Sequence, residues 1–485
     1  MLTASNDLLA GARIDRSTAS PRERASAADT YKALCVTIND PNEEFIIAPV
    51  KNTAPVGVTR HSTGLRTVVA RAHEGAALLW IAMPVVDIAP ESIAFVVLLV
   101  TSAVRMAVDP GAWSGYFQKA RCLLPFALLC MWFVCAAAWS SSSTSKAVQS
   151  APIRPLFGLA ALLIAVRGPW PAWIALAASS TVMLTISAVK VLANPSLYSR
   201  YSPEFPGIRN NYSSTCLIAG ALITGSVAAM IATRQRRYVV VGAVPLSVAA
   251  IVLRATGSRT GAIAALIGTM VSVVSLVMSK CARRWRLVIA VTMLTVVGGA
   301  LFLNSAASNR LIPMIYGAPG SSLNYKPVDG TAAFLGRVAG ERGPIWFVAL
   351  SLAGQRPIFG WGSKSWKDIY PAEVKRLSPA LGLEDPQQIN TLASMPQAHN
   401  TFLQVFVEQG AIGLILLCWV LVECWHRSKQ VQDPILRAVL LGVLMVWLTQ
   451  GMTEPLLNFP VSTVFLGLII VTTAIPTSMP QQPRL

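Results

Sequence analysis

Charge is scarce in this chain. Only 13% of its 485 residues are Asp, Glu, Lys or Arg, where a soluble domain carries about 25%. With 54% hydrophobic residues and thirteen Trp, that scarcity excludes an ordinary soluble enzyme and predicts an integral membrane protein. Acidic side chains are scarcer than basic ones, 22 against 40, which gives a net charge of +18. A basic balance can signal nucleic acid, but here "RQRR" (Arg234 to Arg237) and "KCARRWR" (Lys280 to Arg286) flank apolar segments. They are the pattern of cytoplasmic loops in membrane proteins. The eight cysteines form no Cys-x-x-Cys pair and lie mostly inside apolar runs. That weakens both a thiolate metal site and a disulfide framework and suits small buried residues. No Asp-x-Asp occurs on the side read below as external. Asp87 and Glu91 are four apart, but Pro90 lies between them in a short loop. No metal and no other cofactor is expected.

The N-terminal residues 1–74 are polar and lack a basic segment followed by an apolar core, so no cleavable signal peptide is expected. They read as a flexible cytoplasmic tail. Apolar spans then begin near Gly75, Ser92, Cys122, Pro155, Pro171, Ser213, Tyr238, Thr260, Leu287, His399, Ile435 and Leu457. A crossing helix needs about 20 residues. The first, fourth and seventh spans are shorter, so the sequence predicts an all-α polytopic protein of 10 to 12 transmembrane helices, with 12 preferred. Nine fall in residues 75–303 and three in 398–478. Residues 479–485 are a second cytoplasmic tail.

Basic residues on alternate loops set the orientation. One side holds Arg105, Lys119, Arg121, Arg167, Arg234, Arg236, Arg237, Lys280, Arg283, Arg284, Arg286, Arg427, Lys429 and Arg437; the other holds Lys146, Arg154, Lys190, Arg200, Arg209, Arg254 and Arg259. The richer side is cytoplasmic, which puts both termini inside. Residues 304–397 then form one long external loop. A loop of that length is functional or disordered. Trp346, Phe347, Trp361, Trp366 and Tyr370 predict a packed, partly helical cap. "GPIWFVALSLAG" (Gly343 to Gly354) has the stripe of an amphipathic helix lying along the membrane surface.

The external side still gathers cations where helices end. Arg209 precedes the sixth span, Arg254 ends the seventh and Arg259 opens the eighth. Arg337, Arg342 and Arg356 lie in the long loop, and His399, one of four histidines, opens the tenth span. A single arginine at a helix end snorkels to headgroups. A cluster can hold a polyanion, because guanidinium forks bind phosphate bidentately and stay charged. Arg259 also sits at a helix N-terminus, which favours anions. Gly257 and Gly261 let a bulky group approach the backbone. Glu408 lies nine residues beyond His399, on the opposite helix face, and pairs with another helix; Gly410 and Gly413 permit close helix packing. Asn400 caps the helix or binds a sugar.

Three stretches, in this order, resemble the O-antigen ligase and polysaccharide polymerase superfamily of bacterial envelope proteins. They are "GSRTG", "ERGPIWFVALSLAGQRPIFGWG" and "AHNTFLQVFVEQGAIGL". The resemblance covers roughly residues 200–470. A fourth stretch, "FPGIRNNY" (Phe205 to Tyr212), departs from the family pattern at Asn210, which leaves Arg209 and Asn211 less defined. The resemblance implies a metal-independent, inverting glycosyltransferase of the inner membrane. Such an enzyme moves glycan from an undecaprenyl diphosphate carrier to an acceptor hydroxyl on the periplasmic face. In family terms Arg259 and Arg342 hold the diphosphate and His399 engages the acceptor hydroxyl. Arg209, Arg254, Arg337, Arg356 and Asn400 are further candidates for binding the diphosphate or glycan. His399 must be uncharged to accept a proton, and cationic neighbours favour that form. The acceptor is a glycan or lipid A core sugar. "RPIFGWG" followed by Trp366 is closest to the polymerase branch. The partners implied are the lipid-linked donor, the acceptor, membrane lipids and other polysaccharide assembly proteins, with no nucleic acid. Two rival readings are a transporter or flippase for lipid-linked glycans and a non-catalytic assembly partner. Transporters place ionisable residues near mid-membrane and show repeated halves; here charge gathers at one surface, with no repeat of the first six spans.

Overall fold

The computed structural model describes residues 60–86, 88–109, 111, 116–149, 152–165, 168–193, 212–232, 236–256, 258–278 and 327–474. Among these, all regular structure is helical. The helices are α1 (Arg60–Ala82), α2 (Ile88–Val108), α3 (Tyr116–Ala120), α4 (Leu124–Ala136), α5 (Thr144–Gln149), α6 (Ile153–Ala165), α7 (Pro169–Ala193), α8 (Tyr212–Ala232), α9 (Arg236–Thr256) and α10 (Arg259–Met278). After them come α11 (Gly330–Ala339), α12 (Gly343–Gln355), α13 (Trp366–Leu377), α14 (Pro386–Ala393), α15 (Thr401–Gln430), α16 (Pro434–Gly451) and α17 (Pro460–Ala474).

Seven of the described helical segments are long and apolar enough to cross a membrane: Ala89–Val108, Arg121–Trp139, Pro169–Ala193, Ser213–Ala232, Thr260–Met278, Thr401–Gln430 and Pro434–Gly451. Three more, Ile153–Ala165, Gly242–Thr256 and Val461–Ala474, are apolar but shorter. The protein is thus an all-helical, polytopic membrane protein. The expected ninth span, from Leu287, lies outside the described residues, as does the tail before Arg60. The first helix begins at Arg60 rather than Gly75.

Local sequence explains where several helices start. Asp433 precedes Pro434, and its carboxylate accepts from the Ile435 and Leu436 amides. A proline in the first turn loses no hydrogen bond, and the aspartate satisfies two orphan donors. Asp385 before Pro386 and Asp329 before Gly330 likewise cap α14 and α11.

The bundle core joins α8, α10 and α16 through small residues. A Cβ on Gly268 would lie 2.7 Å from Gly442 O, and one on Gly442 would lie 2.7 Å from Gly268 O. Only bare backbone fits there, which is how helices associate where lipid removes the hydrophobic drive.

Residues 327–398 carry a second buried core built on Ile345, Val348, Leu352, Trp366, Tyr370 and Val374. Trp366 and Tyr370 stack at 4.4 Å. Three tryptophans use their indole N–H on backbone carbonyls: Trp346 on Ala398 (3.1 Å), Trp361 on Leu352 (2.8 Å) and Trp366 on Met395 (3.0 Å). An aromatic residue that buries its body must satisfy its polar tip, so these bonds fix how the segment folds on itself.

The segment and α15 interlock at a break in the helix. Gly410 adopts φ +67° and ψ −169° inside α15. The chain from Pro357 to Gly362 lies across that break: the Trp361 and Gly362 amides donate to Val407 O and Glu408 O (2.9 and 2.8 Å), and the Ala411 amide donates to Pro357 O (2.8 Å). A Cβ on Gly410 would collide with Ile358 O, and one on Gly360 would lie 2.5 Å from Gly410 N. Gly360 of "RPIFGWG" and Gly410 of "EQG" are therefore required by one another. Gly410 serves this loop crossing rather than helix packing. Gly413 does face another helix: a Cβ there would lie 3.4 Å from the Trp132 ring of α4.

Candidate active site

α15 begins at its cap. Asn400 Oδ1 accepts from the Leu403 amide (3.0 Å), while Nδ2 donates to Met452 O (2.9 Å). Both polar ends of this buried residue are used within the protein. His399, just ahead of it, has φ +51°. That left-handed conformation costs a non-glycine residue about 1–3 kcal/mol and persists only where surroundings enforce it. Here they do. Trp346 holds the Ala398 carbonyl, and Gln404 Oε1 accepts from the Ala398 amide (2.7 Å). The residues on either side of the histidine are thus pinned, which explains its place at the head of an apolar helix.

Facing His399 is Glu454, in the turn between α16 and α17. His399 Nδ1 lies 3.7 Å from Glu454 Oε2, an ion-pair separation longer than a hydrogen bond. Nδ1 has no hydrogen-bond partner among the described residues. Arg342, at the head of α12, donates from Nη2 to Glu454 Oε1 (2.9 Å) and from Nη1 to Thr453 O (2.6 Å). Ser213, in the first turn of α8, donates to Glu454 Oε2 (2.8 Å). Thr401 Oγ1 donates to Glu454 O (2.6 Å) and accepts from the Leu456 amide (2.8 Å). Three segments distant in sequence therefore close on one glutamate. Burial pushes its carboxyl up, but the His399 imidazole, the Arg342 guanidinium and the Ser213 hydroxyl outweigh it. Together they hold Glu454 below the ordinary carboxylate value. The side chains of Arg342 and His399 remain 30% and 25% exposed, so the pair opens to the surface while Glu454 is covered. A guanidinium has five donors, so Arg342 keeps donors to offer beyond those on Glu454 and Thr453.

Arg259 is the first residue of α10, whose N-terminus is capped by Ser258 Oγ on the Gly261 amide (2.9 Å); its side chain lies outside the described part of the structure. That helix end adjoins Ser213's helix, because Cys216 of α8 reaches Thr256 Oγ1 (3.6 Å). The space at Gly261 is filled by the protein itself: a Cβ there would meet Leu253, Cys216 and Ser258. The expectation that Gly261 admits a headgroup is corrected accordingly. Arg254 ends α9 and is exposed. Arg337 is exposed in the last turn of α11. Arg356 follows α12, whose 13 residues separate it from Arg342 by roughly 20 Å at 1.5 Å per residue. It stacks on Trp361, 4.2 Å from the ring centroid. Arg209 and Asn211 lie outside the described residues. Glu408 is not paired with another helix as expected. It accepts from Gln404 Nε2 of its own helix (2.6 Å) and from the Lys364 amide (3.1 Å).

Sequence reasoning missed Glu454, Ser213 and Thr401. A signal for Glu454 exists: among 22 acidic residues, it is one that falls in a short turn between two apolar spans. The turn lies on the face assigned to His399. An ionisable group at such a place is a functional hint by default. Ser213 and Thr401 carry no comparable mark.

No curated protein matches the chain significantly. A family model described as O-antigen ligase matches residues 244–418, a range that includes Arg254, Arg259, Arg337, Arg342, Arg356, His399 and Asn400 and stops before Glu454. Over that range, which contains all three motif stretches, the chain is similar to the O-antigen ligase family.

Proposed function

We propose that the protein is a glycosyltransferase of the bacterial inner membrane that takes glycan from an undecaprenyl diphosphate-linked donor. The observation that carries this reading is the meeting of His399, Arg342 and Glu454 at one partly open site. Arg342 and Arg259 grip the diphosphate, and Arg209, Arg254 and Arg337 extend the cationic surface around it. The richer basic loops on the opposite side support a periplasmic site.

In the reaction, His399 Nε2 takes the proton of an acceptor sugar hydroxyl. The oxygen attacks the anomeric carbon as that carbon's bond to the diphosphate oxygen breaks, and the electron pair leaves with undecaprenyl diphosphate. Attack from the opposite side inverts the anomeric configuration. Glu454, on the Nδ1 side, stabilises the imidazolium that forms, and closing its 3.7 Å gap would strengthen that contact; free-enzyme distances often tighten on binding. The leaving diphosphate gains charge, and fixed arginines stabilise it without reorganising. No step calls for a metal. A polymerase that extends an O-antigen or exopolysaccharide on its carrier is favoured over a ligase to lipid A core, because "RPIFGWG" followed by Trp366 resembles that branch most.

Purified protein in liposomes, given lipid-linked glycan extracted from its host, tests the reading. Release of undecaprenyl diphosphate and a larger or transferred glycan are expected, without an ion gradient and unaffected by EDTA. Movement of unchanged lipid-linked glycan across the bilayer would instead identify a flippase.

A further inference from the structure

We propose that Glu408, a buried carboxylate outside the reacting group, is a positioning residue for His399 and acts through Gln404. The inference rests on the reading of His399 as the base. Three hydrogen bonds carry it. The Lys364 amide donates to Glu408 Oε2 (3.1 Å), Gln404 Nε2 donates to Glu408 Oε1 (2.6 Å), and the Ala398 amide donates to Gln404 Oε1 (2.7 Å). The backbone amide of Trp366 faces the same carboxylate.

The chain of bonds has a direction. The Lys364 N–H is a fixed donor, and a carboxylate only accepts. With both Glu408 oxygens accepting, Gln404 must turn its NH2 toward Glu408. Its carbonyl oxygen then points at the N–H of Ala398, the residue before the left-handed His399. The carboxylate thereby selects which end of the Gln404 amide meets the backbone beside the histidine. Lys364 itself sits at φ +62° and ties Nζ to Asn458 Oδ1 (3.2 Å). The loop after "RPIFGWG", the helix interior and the turn that follows Glu454 are thus joined to one group.

Amide chemistry gives a sharp test. In Glu408→Gln, an oxygen aimed at Gln404 leaves an NH2 against the Lys364 N–H. An oxygen aimed at Lys364 forces Gln404 to flip, and its NH2 then confronts Ala398 N–H. Either way one hydrogen bond is lost. Gln404→Glu sets two carboxylates against each other. The double variant Gln404→Glu/Glu408→Gln restores all three bonds: the new amide at position 408 turns its oxygen to Lys364 and its NH2 to residue 404, whose carboxylate takes the Ala398 amide.

The experiment measures kcat and KM for release of undecaprenyl diphosphate from host-extracted lipid-linked glycan, with thermal unfolding of each variant. Each single variant is expected to lower kcat about tenfold or more, since small misplacements of a catalytic group cost rates of that order. KM should stay within about twofold. The double variant should regain most of the wild-type kcat. Unchanged kcat in both single variants, or a double variant that stays slow or fails to assemble, overturns the proposal. Loss of activity in His399→Ala beside a fully active Glu408→Gln would sink this inference alone. A fully active His399→Ala would remove the reading beneath it.

Discussion

His399→Ala should lower glycan transfer by about 10²–10⁴-fold, the range for loss of a positioned general base, while donor KM changes little. The split follows from geometry. On the proposed reading, the cations that grip diphosphate are separate side chains, and the imidazole meets the acceptor hydroxyl. The variant should also fold: His399 is 25% exposed, and alanine removes no hydrogen bond made by its Nδ1. It keeps the left-handed backbone strain, which a histidine tolerates better than alanine, so a small loss of stability is expected. Steady-state kinetics on the reconstituted variant, with its unfolding temperature, check this. A normal rate from a fully assembled variant would remove the catalytic assignment.

The second large effect is expected at Glu454. Breaking a buried ion pair by removing one partner costs about 3–5 kcal/mol. The open side of Arg342, 30% exposed, brings the expectation for Glu454→Ala down to about 2–3 kcal/mol, because solvent screens the stranded guanidinium. The rate should fall at least about a hundredfold, since the arginine and the imidazole both lose their common anchor. Glu454→Gln keeps the shape and removes the charge. The acidity of Glu454 sets the sign of the pH effect. A carboxyl held below its ordinary value contributes stability that is fully present above about pH 4.3, the unfolded glutamate value, and is lost as pH falls through the folded value. The stability gap between wild type and Glu454→Gln should therefore be flat through neutral pH and shrink only on strong acidification. Unfolding temperatures across a pH series decide it; a gap that closes near neutrality would show that the charge on Glu454 does not matter.

Much of the fold was legible because membrane helices write themselves in composition. The apolar runs and their basic flanks are local properties. The three motif stretches were legible as a set, and the structure gives a reason: "RPIFGWG" lies across the break that Gly410 makes in α15. Gly410 and Gly261 were misread, because helix packing, ligand access and a loop crossing all ask for a missing Cβ. Arg356 was grouped with Arg342 by charge alone, and the length of α12 separates them. Glu454 was hidden for another reason. Its importance comes from Ser213, Arg342 and the His399–Thr401 stretch arriving from three other places in the chain, and no local pattern encodes that convergence. The Glu408–Gln404 pair has an i, i+4 spacing that is visible in sequence, but its meaning depends on the amides at either end.

The central claim is that arginines and an imidazole meet on one external face to hold a diphosphate. Single cysteines at positions 259 and 399, in a background without the eight native cysteines, test it by labelling of intact cells with a membrane-impermeant maleimide. Both positions are expected to react from outside. Labelling of the two from opposite sides of the membrane would contradict the account.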